Sequence, residues 1–249
     1  MKSNLSKVDL SFVIPAYNEE FSIEGALVTL DAAVKGESLH YEIVVVDDGS
    51  KDKTLSKART YARKNGHVKV ISYTKNLGKG YAVKKGFMQA TGEFVIFADS
   101  DLEINLEGIS SYIEALRHGD IAIASKWHPD SVVNVPIIRK IQSQCFNLLV
   151  RILTGVRLRD TQTGLKAMRK SAFTNIFSQL CVKRYAFDVE LLTVANLYGL
   201  KIIEMPTHLD IKELLSLRDI LRMFVDLLGI AYRLRVTRWY QRPISRNTT

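Results

Sequence analysis

The segment 93–103 constrains the fold most, because an apolar run ends there abruptly in acidic residues. Phe94 to Phe97 are aromatic and β-branched residues, a composition typical of a strand buried on both faces. Asp99 and Asp101 follow at once. Ligands of open α/β sheets bind beyond the carboxyl ends of strands, and carboxylates suit Mg²⁺ or Mn²⁺. The segment predicts half of a metal–diphosphate site, although Asp-Ser-Asp alone is also typical of a solvated turn.

Strand-like and helix-like segments alternate along the chain. This alternation predicts an α/β fold with a mostly parallel sheet and helices on both faces. The predicted strands are 8–14, 41–46, 67–73, 94–97, 120–125, 165–168 and 201–205. The predicted helices are 51–65, 105–118, 139–153, 186–198 and 213–235. A further predicted helix follows the glycines at 78 and 80 and ends at residue 90. Asn18 is predicted to cap a further helix after the first strand, with two glutamates in its first turn.

The 249 residues, 47% of them hydrophobic, are enough for one large α/β core. The two cysteines, Cys145 and Cys181, are far apart inside apolar patterns, which predicts buried free thiols in a reducing compartment. The amino terminus lacks the apolar core of a signal peptide, so secretion is not expected. Because no stretch approaches the roughly 18 apolar residues of a span, membrane contact is expected to be peripheral.

The net charge of +9 is concentrated in two segments. Residues 139–170 hold eight Lys/Arg against one acid, and residues 212–249 hold eight against three. Zinc-finger spacing and an RRM aromatic signature are absent, so nucleic acid is not expected as a partner. An anionic membrane surface or a phosphorylated substrate fits the basic segments better.

Three turns that carry acids or glycine follow predicted strands. They are 18–20 (Asn-Glu-Glu), 47–50 (Asp-Asp-Gly-Ser) and 99–101 (Asp-Ser-Asp). Because parallel strands end at one edge of a sheet, these turns predict a nucleotide and metal site at that edge. Asp48 suits a nucleobase or ribose contact there, or a helix cap. Lys79, between two glycines before a helix, suits a phosphate contact or a plain turn.

Four segments together resemble the motifs of glycosyltransferase family 2, whose members have the GT-A fold. They are 12–19 (FVIPAYNE), 46–50 (VDDGS), 76–80 (NLGKG) and 98–101 (ADSD). Segments 160–166 (DTQTGLK) and 186–191 (AFDVEL) narrow the resemblance to dolichyl-phosphate sugar synthases. It implies inverting transfer of a hexose from a nucleotide sugar to a polyprenyl phosphate. It also implies one domain over 1–249, with a nucleotide-sugar half at about 8–125 and an acceptor half at about 126–240.

The resemblance implies roles for individual residues. The nucleotide-sugar set, with its neighbours in the motifs, is Pro15, Ala16, Tyr17, Glu19, Val46, Asp48, Lys79, Asp99, Ser100 and Asp101. The metal positions for Mg²⁺ or Mn²⁺ are Asp99, Asp101 and Glu103. Lys126 and Arg139 match basic positions near the diphosphate or acceptor phosphate, and with Asp101 they are the catalytic candidates. Lys166 and Arg169 are further candidates for the acceptor phosphate, although any of these cations suits a solvated surface equally.

The donor is expected to be a UDP-sugar such as UDP-glucose. Relatives that use GDP-mannose usually carry an Arg-rich loop after the last strand, whereas residues 207–212 here read THLDIK. A GDP-mannose-dependent enzyme stays as the alternative. Processive polysaccharide synthases, which share the early motifs, carry a Gln-x-x-Arg-Trp signature, but position 235 is Arg.

A phosphate acceptor and a hydroxyl acceptor require different chemistry. A phosphate monoester is largely ionised at neutral pH, so it needs cations rather than a strong base. A glycan hydroxyl would need a carboxylate base, for which Asp160 and Asp188 are the candidates. A non-catalytic module that binds nucleotide sugar or anionic lipid is a third hypothesis, which the acids at three strand ends argue against.

The leading prediction places the enzyme on the cytoplasmic face of a membrane. The predicted helices 139–153 and 213–235 are amphipathic and basic, and Arg218, Arg222 and Arg233 lie off the apolar stripe of the second. Both stripes also suit packing on the sheet. Their coincidence with the surplus charge, together with a lipid-linked acceptor, favours membrane docking.

Overall fold

The computed structural model describes residues 8–35, 39–98, 108–210 and 216–242. Its large sheet comprises β1 (Leu10–Ala16), β2 (Tyr41–Asp47), β3 (Val68–Ser72), β4 (Phe94–Phe97), β5 (Ile121–Ala124), β7 (Lys166–Arg169) and β8 (Ile202–Met205). A two-stranded ribbon pairs β6 (Val132–Asn134) with β9 (His208–Asp210). The helices are α1 (Ile23–Lys35), α2 (Thr54–Lys64), α3 (Lys79–Gln89), α4 (Ile109–His118), α5 (Ile137–Thr154), α6 (Lys170–Gln179), α7 (Phe187–Leu197) and α8 (Leu217–Arg235), with a short 3₁₀ helix at Trp239–Gln241.

The large sheet is mixed, with strand order β3-β2-β1-β4-β7-β5-β8. Every neighbouring pair is parallel except those of β7, which runs antiparallel to β4 and β5. The chain leaves β5 at the carboxyl edge, passes through β6 and α5, and enters β7 from that same edge. The mostly parallel α/β sheet predicted from the sequence is thereby confirmed, with one reversed strand in its interior.

Helices cover both faces of the sheet, so its central strands are buried on both sides. One face packs on α3, α6, α7 and α8 through a core that includes Val13, Phe87, Phe187 and Leu227. The other packs on α1, α2 and α4 through a core that includes Phe12. Adjacent residues Phe12 and Val13 belong to opposite cores because successive side chains of a strand alternate between faces. This two-sided burial explains the continuous apolar runs.

Some local predictions were wrong. Asn18 does not cap α1, which begins at Ile23; Asn18 has a φ of 56° and its Oδ1 accepts from Lys51 N at 2.9 Å. The sequence reading also missed α6 and the ribbon of β6 and β9. Cys145 and Cys181 are free but exposed rather than buried. Within the described ranges, none of the helices combines the length and apolar character needed to cross a membrane.

Tight packing of α3 on β1 predicts opposite effects of two glycine substitutions. A Cβ at Gly86 would lie 2.3 Å from Val13 Cγ1, whereas a Cβ at Gly25 of α1 would meet nothing within 4 Å. We expect Gly86→Ala to lower the free energy of unfolding by about 1–3 kcal/mol through overpacking. Gly25→Ala should raise it by about 0.5–1 kcal/mol through helix propensity. Urea denaturation measures both, and equal shifts would contradict the packing.

Candidate functional site

A cleft of about 1270 Å³ opens at the carboxyl edge of the sheet. One end is formed by the turns after β1 and β2, and the other by α5 and α8. It brings together eight residues of the set predicted from sequence: Pro15, Ala16, Tyr17, Glu19, Asp48, Lys79, Lys126 and Arg139. Pockets of this size accommodate a ligand larger than a typical drug molecule. The cleft is therefore the candidate substrate site.

The turns after β1 and β2 are locked to each other. Glu19 N donates to Thr54 Oγ1 at 2.7 Å, and Asn18 N donates to Ser50 Oγ at 3.0 Å. Because the turns are tied by backbone donors, Tyr17 is held at the rim, where its side chain is 40% exposed. An exposed aromatic face beside the end of β1 suits stacking with a planar base.

Asp48 organises the next part of this end. Its two carboxylate oxygens accept from Leu77 N at 2.7 Å and Gly78 N at 2.8 Å. Burial and the neighbouring Asp48 carboxylate raise the pKa of Tyr73, so that phenol stays neutral. Asp48 thus secures the loop before α3, not the helix that follows it in sequence, and Lys79 begins α3 at the cleft wall. Amides and an ammonium at a helix start favour an anionic ligand.

Val46 does not reach the cleft. Its side chain is fully buried in the core shared with α3, and a Cβ at Gly86 would lie 3.0 Å from Val46 Cγ2. Val46 and Asp48 point to the same face, but Val46 lies within β2, where α3 covers it, whereas Asp48 lies just beyond the end of the strand at Asp47. Val46 therefore supports the site through packing and does not line it.

Lys126 is held at the floor by a buried carboxylate. Its Nζ lies 2.9 Å from Asp160 Oδ2, and Asp160 also accepts from Gln162 N at 3.1 Å and from Thr163 Oγ1. Burial alone would raise the pKa of Asp160, but Lys126 and these hydrogen bonds hold it below its usual range. Glu204 Oε1 accepts from the amides of Arg159 and Asp160, which fixes the loop.

Lys166 and Arg169 lie outside the cleft. Lys166 is buried, with Nζ 2.9 Å from Asp188 Oδ1. Arg169 pairs with Phe94 at the opposite edge of the sheet, where its guanidinium lies 3.1 Å from Glu93 Oε1. Because β7 is reversed, its first residue, Lys166, lies near the edge of the sheet that forms the cleft. Its last residue, Arg169, lies at the opposite edge, a strand's length away. The structure therefore removes both residues from the candidates for direct contact with an acceptor phosphate.

The cleft also contains residues that sequence reasoning missed. They are Trp127, Lys140, Arg184, Tyr185 and Arg222, among others. Arg184 and Tyr185 directly precede the Ala-Phe-Asp-Val-Glu segment, so that motif was the signal that could have found them. Together with Lys79, Lys126 and Arg139 they give the cleft a strongly cationic lining, which suits a substrate with several phosphates.

The predicted metal residues Asp99, Asp101 and Glu103, and Ser100 between the first two, lie outside the described residues. Ala98, the last described residue after β4, lines the cleft, so the chain enters that segment from the cleft wall. In the described part of the chain, no three His, Cys, Asp or Glu side chains are grouped to hold a metal ion. The assignment of Asp99, Asp101 and Glu103 to a metal ion therefore stays a prediction.

The arginines predicted to face a membrane divide into two groups. Arg218 is exposed at the start of α8, and Arg222 lines the cleft. Arg233 is different, since its Nη2 lies 3.3 Å from Glu190 Oε1 and its Nε donates to Tyr240 Oη at 2.8 Å. Assigning Arg233 to membrane docking was wrong, because its guanidinium is committed to a buried carboxylate.

The Lys126–Asp160 pair predicts a pH-dependent loss of stability. Because the pKa of Asp160 is lowered in the folded state, its stabilisation is present above the unfolded pKa of about 4 and is lost as pH falls through the folded value. We expect Asp160→Asn to lower the free energy of unfolding by about 3 kcal/mol at pH 7, with the gap closing below pH 4. Denaturation across pH tests this. The control is Asp130→Asn, at an exposed carboxylate. It should change the free energy of unfolding by less than about 0.5 kcal/mol, both at pH 7 and below pH 4.

The chain is similar in sequence to a known family of enzymes. The glycosyl transferase family 2 model matches residues 11–177. Dolichyl-phosphate beta-glucosyltransferase of Homo sapiens is 34% identical over 252 residues, covering 92% of this chain and 77% of that protein.

Two solved structures of glucosyl-3-phosphoglycerate synthase from Mycobacterium tuberculosis share the fold. The complex with Mn²⁺, UDP and phosphoglyceric acid matches with a TM-score of 0.69 at 19% identity, covering 96% of this chain and 80% of that chain. The complex with Mn²⁺ and UDP-glucose matches with a TM-score of 0.66 at 17% identity, covering 90% of this chain and 78% of that chain. The GT-A fold expected from the sequence is confirmed.

Proposed function

Because the chain belongs to glycosyl transferase family 2, we propose that it transfers glucose from UDP-glucose to dolichyl phosphate or a similar polyprenyl phosphate. The observation that carries this proposal is the cleft itself, which joins the donor turns at the sheet edge to the exposed apolar faces of α5 and α8. A substrate with a charged head and a long apolar tail fits such a site. The human relative named for this reaction is 34% identical.

The donor end suits a nucleoside diphosphate. We assign Tyr17 to the base, Asp48 and the loop before α3 to the base or ribose, and Lys79 to phosphate. The structure of the M. tuberculosis enzyme with UDP-glucose supports a uridine donor for this fold. We further propose that Asp99, Asp101 and Glu103 hold Mg²⁺ or Mn²⁺, as hard oxygen ligands suit. The ion would neutralise charge on the leaving diphosphate.

Lys126 and Arg139 are proposed to bind the acceptor phosphate. A phosphate oxygen forms the new bond to the anomeric carbon while the bond to UDP breaks, and UDP leaves with the electron pair. The ionised acceptor needs no base, so the main barrier that these side chains lower is repulsion between two anions. Displacement from the face opposite the leaving group inverts the anomeric centre.

The surroundings of the two carboxylates favour phosphate over a glycan hydroxyl. Asp160 is buried against Lys126, and Asp188 is buried against Lys166. A general base works best with a pKa near the working pH, whereas the pKa of Asp160 is lowered. Neither carboxylate is placed as a base should be. The two carboxylates considered as bases for a hydroxyl acceptor, Asp160 and Asp188, are therefore each committed to a lysine.

We also propose that α5 and α8 dock on the cytoplasmic face of a membrane. The two helices pack together and expose a shared apolar face: Ile137, Ile138, Ile141, Leu148 and Ile152 on α5, and Leu221, Phe224, Val225, Leu228 and Tyr232 on α8. Such a face with basic residues at its edge is typical of helices that lie in a bilayer interface. It adjoins the cleft, so a bound lipid tail could stay in the bilayer.

A donor and acceptor panel tests the reaction. With dolichyl phosphate and Mg²⁺ or Mn²⁺, we expect a glucose-linked lipid from UDP-glucose and little product from GDP-mannose. Asp101→Asn should reduce turnover by about 100-fold or more, and EDTA should abolish it. Asp130→Asn serves as the control for removing an exposed carboxylate. Preferred transfer from GDP-mannose, or transfer to a glycan hydroxyl in place of the lipid, would overturn the proposal.

Liposome binding tests the docking face. We expect the double variant Val225→Asp/Leu228→Asp to bind anionic liposomes at least about tenfold more weakly, because charge enters the exposed face of α8. Activity should fall more on a long polyprenyl phosphate than on a short soluble analogue. Val28→Asp, equally exposed on α1, is the matched control. Unchanged liposome binding in the α8 variant would contradict the docking proposal.

A further inference from the structure

The segment 180–186, between α6 and α7, lies between the donor loop and α8. Arg184 and Tyr185 of this segment line the cleft and are both exposed to it. Its neighbours hold it by main-chain contacts on either side, so its position depends on elements that are far apart in sequence. This makes it a physical link between the two ends of the cleft.

On the donor side the segment packs directly on the start of α3. Tyr81 N donates to Lys183 O at 3.3 Å, and a Cβ at Gly78 would lie 2.3 Å from that same oxygen. Gly78 also has a φ of 100°, which favours glycine. Since the amide of Gly78 is bound by Asp48, movement of the 180–186 segment would displace the loop that Asp48 secures.

On its other side the segment is held by Glu190 of α7. Glu190 Oε2 accepts from Cys181 N at 2.9 Å and from Val182 N at 2.7 Å, and the residue is fully buried. A buried carboxylate of this kind needs compensation for lost solvation. Its second oxygen receives that compensation from α8 and the residues beyond it.

Arg233 and Tyr240 complete the connection. Glu190 Oε1 lies 3.3 Å from Arg233 Nη2 and accepts from the Tyr240 hydroxyl, while Arg233 Nε donates to that hydroxyl at 2.8 Å. Tyr240 is fully buried. Burial raises the pKa of Asp226, which also lies on α8, and the charges of Arg184 and Arg233 oppose this rise.

We propose that Glu190, Arg233 and Tyr240 are positioning residues for glycosyl transfer: they fix the segment 180–186 so that Arg184 and Tyr185 face the bound substrates. This inference rests on the proposed function and extends that function to residues that do not line the cleft. It also couples α8, the proposed docking helix, to the donor loop through one buried carboxylate. The three residues act through the segment and do not contact the reacting atoms.

Hydrogen exchange tests the physical link without using activity. Tyr240→Phe removes the hydroxyl between Arg233 and Glu190 but keeps the ring. We expect the amides of Cys181 and Val182 to exchange about tenfold faster in this variant, because their shared acceptor loses a partner. Tyr112→Phe is the matched control: this tyrosine of α4 is also buried, and its hydroxyl has no hydrogen-bond partner among the described residues. It should leave both amides unchanged.

Kinetics separates positioning from general stability. We expect Tyr240→Phe to lower kcat/KM about tenfold at a temperature where the variant stays folded. In a background carrying Arg184→Ala and Tyr185→Ala, the same change should cost less than about twofold, because the side chains it positions are gone. Arg233→Lys, which keeps the charge but loses the forked donor, should repeat this pattern if Tyr240→Phe fails to fold.

The outcomes distinguish the two proposals. Equal, additive losses in both backgrounds would mean a purely structural role and would overturn the positioning inference, as would unchanged exchange at Cys181 and Val182. If the wild-type protein transfers no sugar to a polyprenyl phosphate, the proposed function fails. Hydrogen exchange then tests only the physical link between Glu190 and the segment 180–186. Faster exchange of the Cys181 and Val182 amides in Tyr240→Phe but not in Tyr112→Phe would support the link, and equal exchange in the two variants would overturn it.

Discussion

The reversed direction of β7 is the constraint on which the rest of the site depends. Between β4 and β5, this strand starts at the carboxyl edge, so the loop 160–165 enters the cleft opposite the turns of β1 and β2. A seventh strand parallel to its neighbours would have placed that loop at the far edge. The floor of the cleft, with Asp160 and Lys126, exists because one strand opposes the others.

Buried charge pairs then make this arrangement specific. The salt bridges Lys126–Asp160 and Lys166–Asp188 lie next to the apolar sheet, where desolvation of a charge is costly and only well-made pairs offset that cost. Such pairs add little net stability compared with apolar residues. However, any alternative packing that buried one charge without its partner would be destabilised by the cost of desolvating that charge. The loop that they hold is therefore defined more sharply than hydrophobic contact alone would define it.

The sequence was sufficient for the parallel part of the fold and for much of the donor end. Strands buried on both faces leave long apolar runs, and acids directly after them mark the sheet edge, so Asp48 and Glu19 were found. Strand β7 has only four residues, and nothing in them encodes direction, so the sequence could not show that Arg169, a candidate for the acceptor phosphate, lies at the edge away from the cleft. Val46 was misplaced because the sequence does not show how far along β2 the cover of α3 extends, and Val46 lies under that cover while Asp48 lies beyond it. Arg233 was misplaced because a helical pattern shows which side is apolar and cannot show a buried carboxylate on the neighbouring helix.

The surplus positive charge therefore has two distinct uses. Lys166 and Arg233 lie within the two basic segments of the sequence but neutralise buried acids, so they add little to the field outside the protein. Arg139 and Arg222 are placed along the cleft, and Arg218 is exposed at the start of α8. The electrostatic field of Arg139, Arg218 and Arg222 falls off within about 8 Å at physiological salt. It therefore acts only on a substrate or surface that is already close to the cleft. For the proposed membrane docking, long-range attraction is thus a weaker reason than the apolar face of α5 and α8. In that proposal, the cationic residues serve mainly to orient the acceptor phosphate.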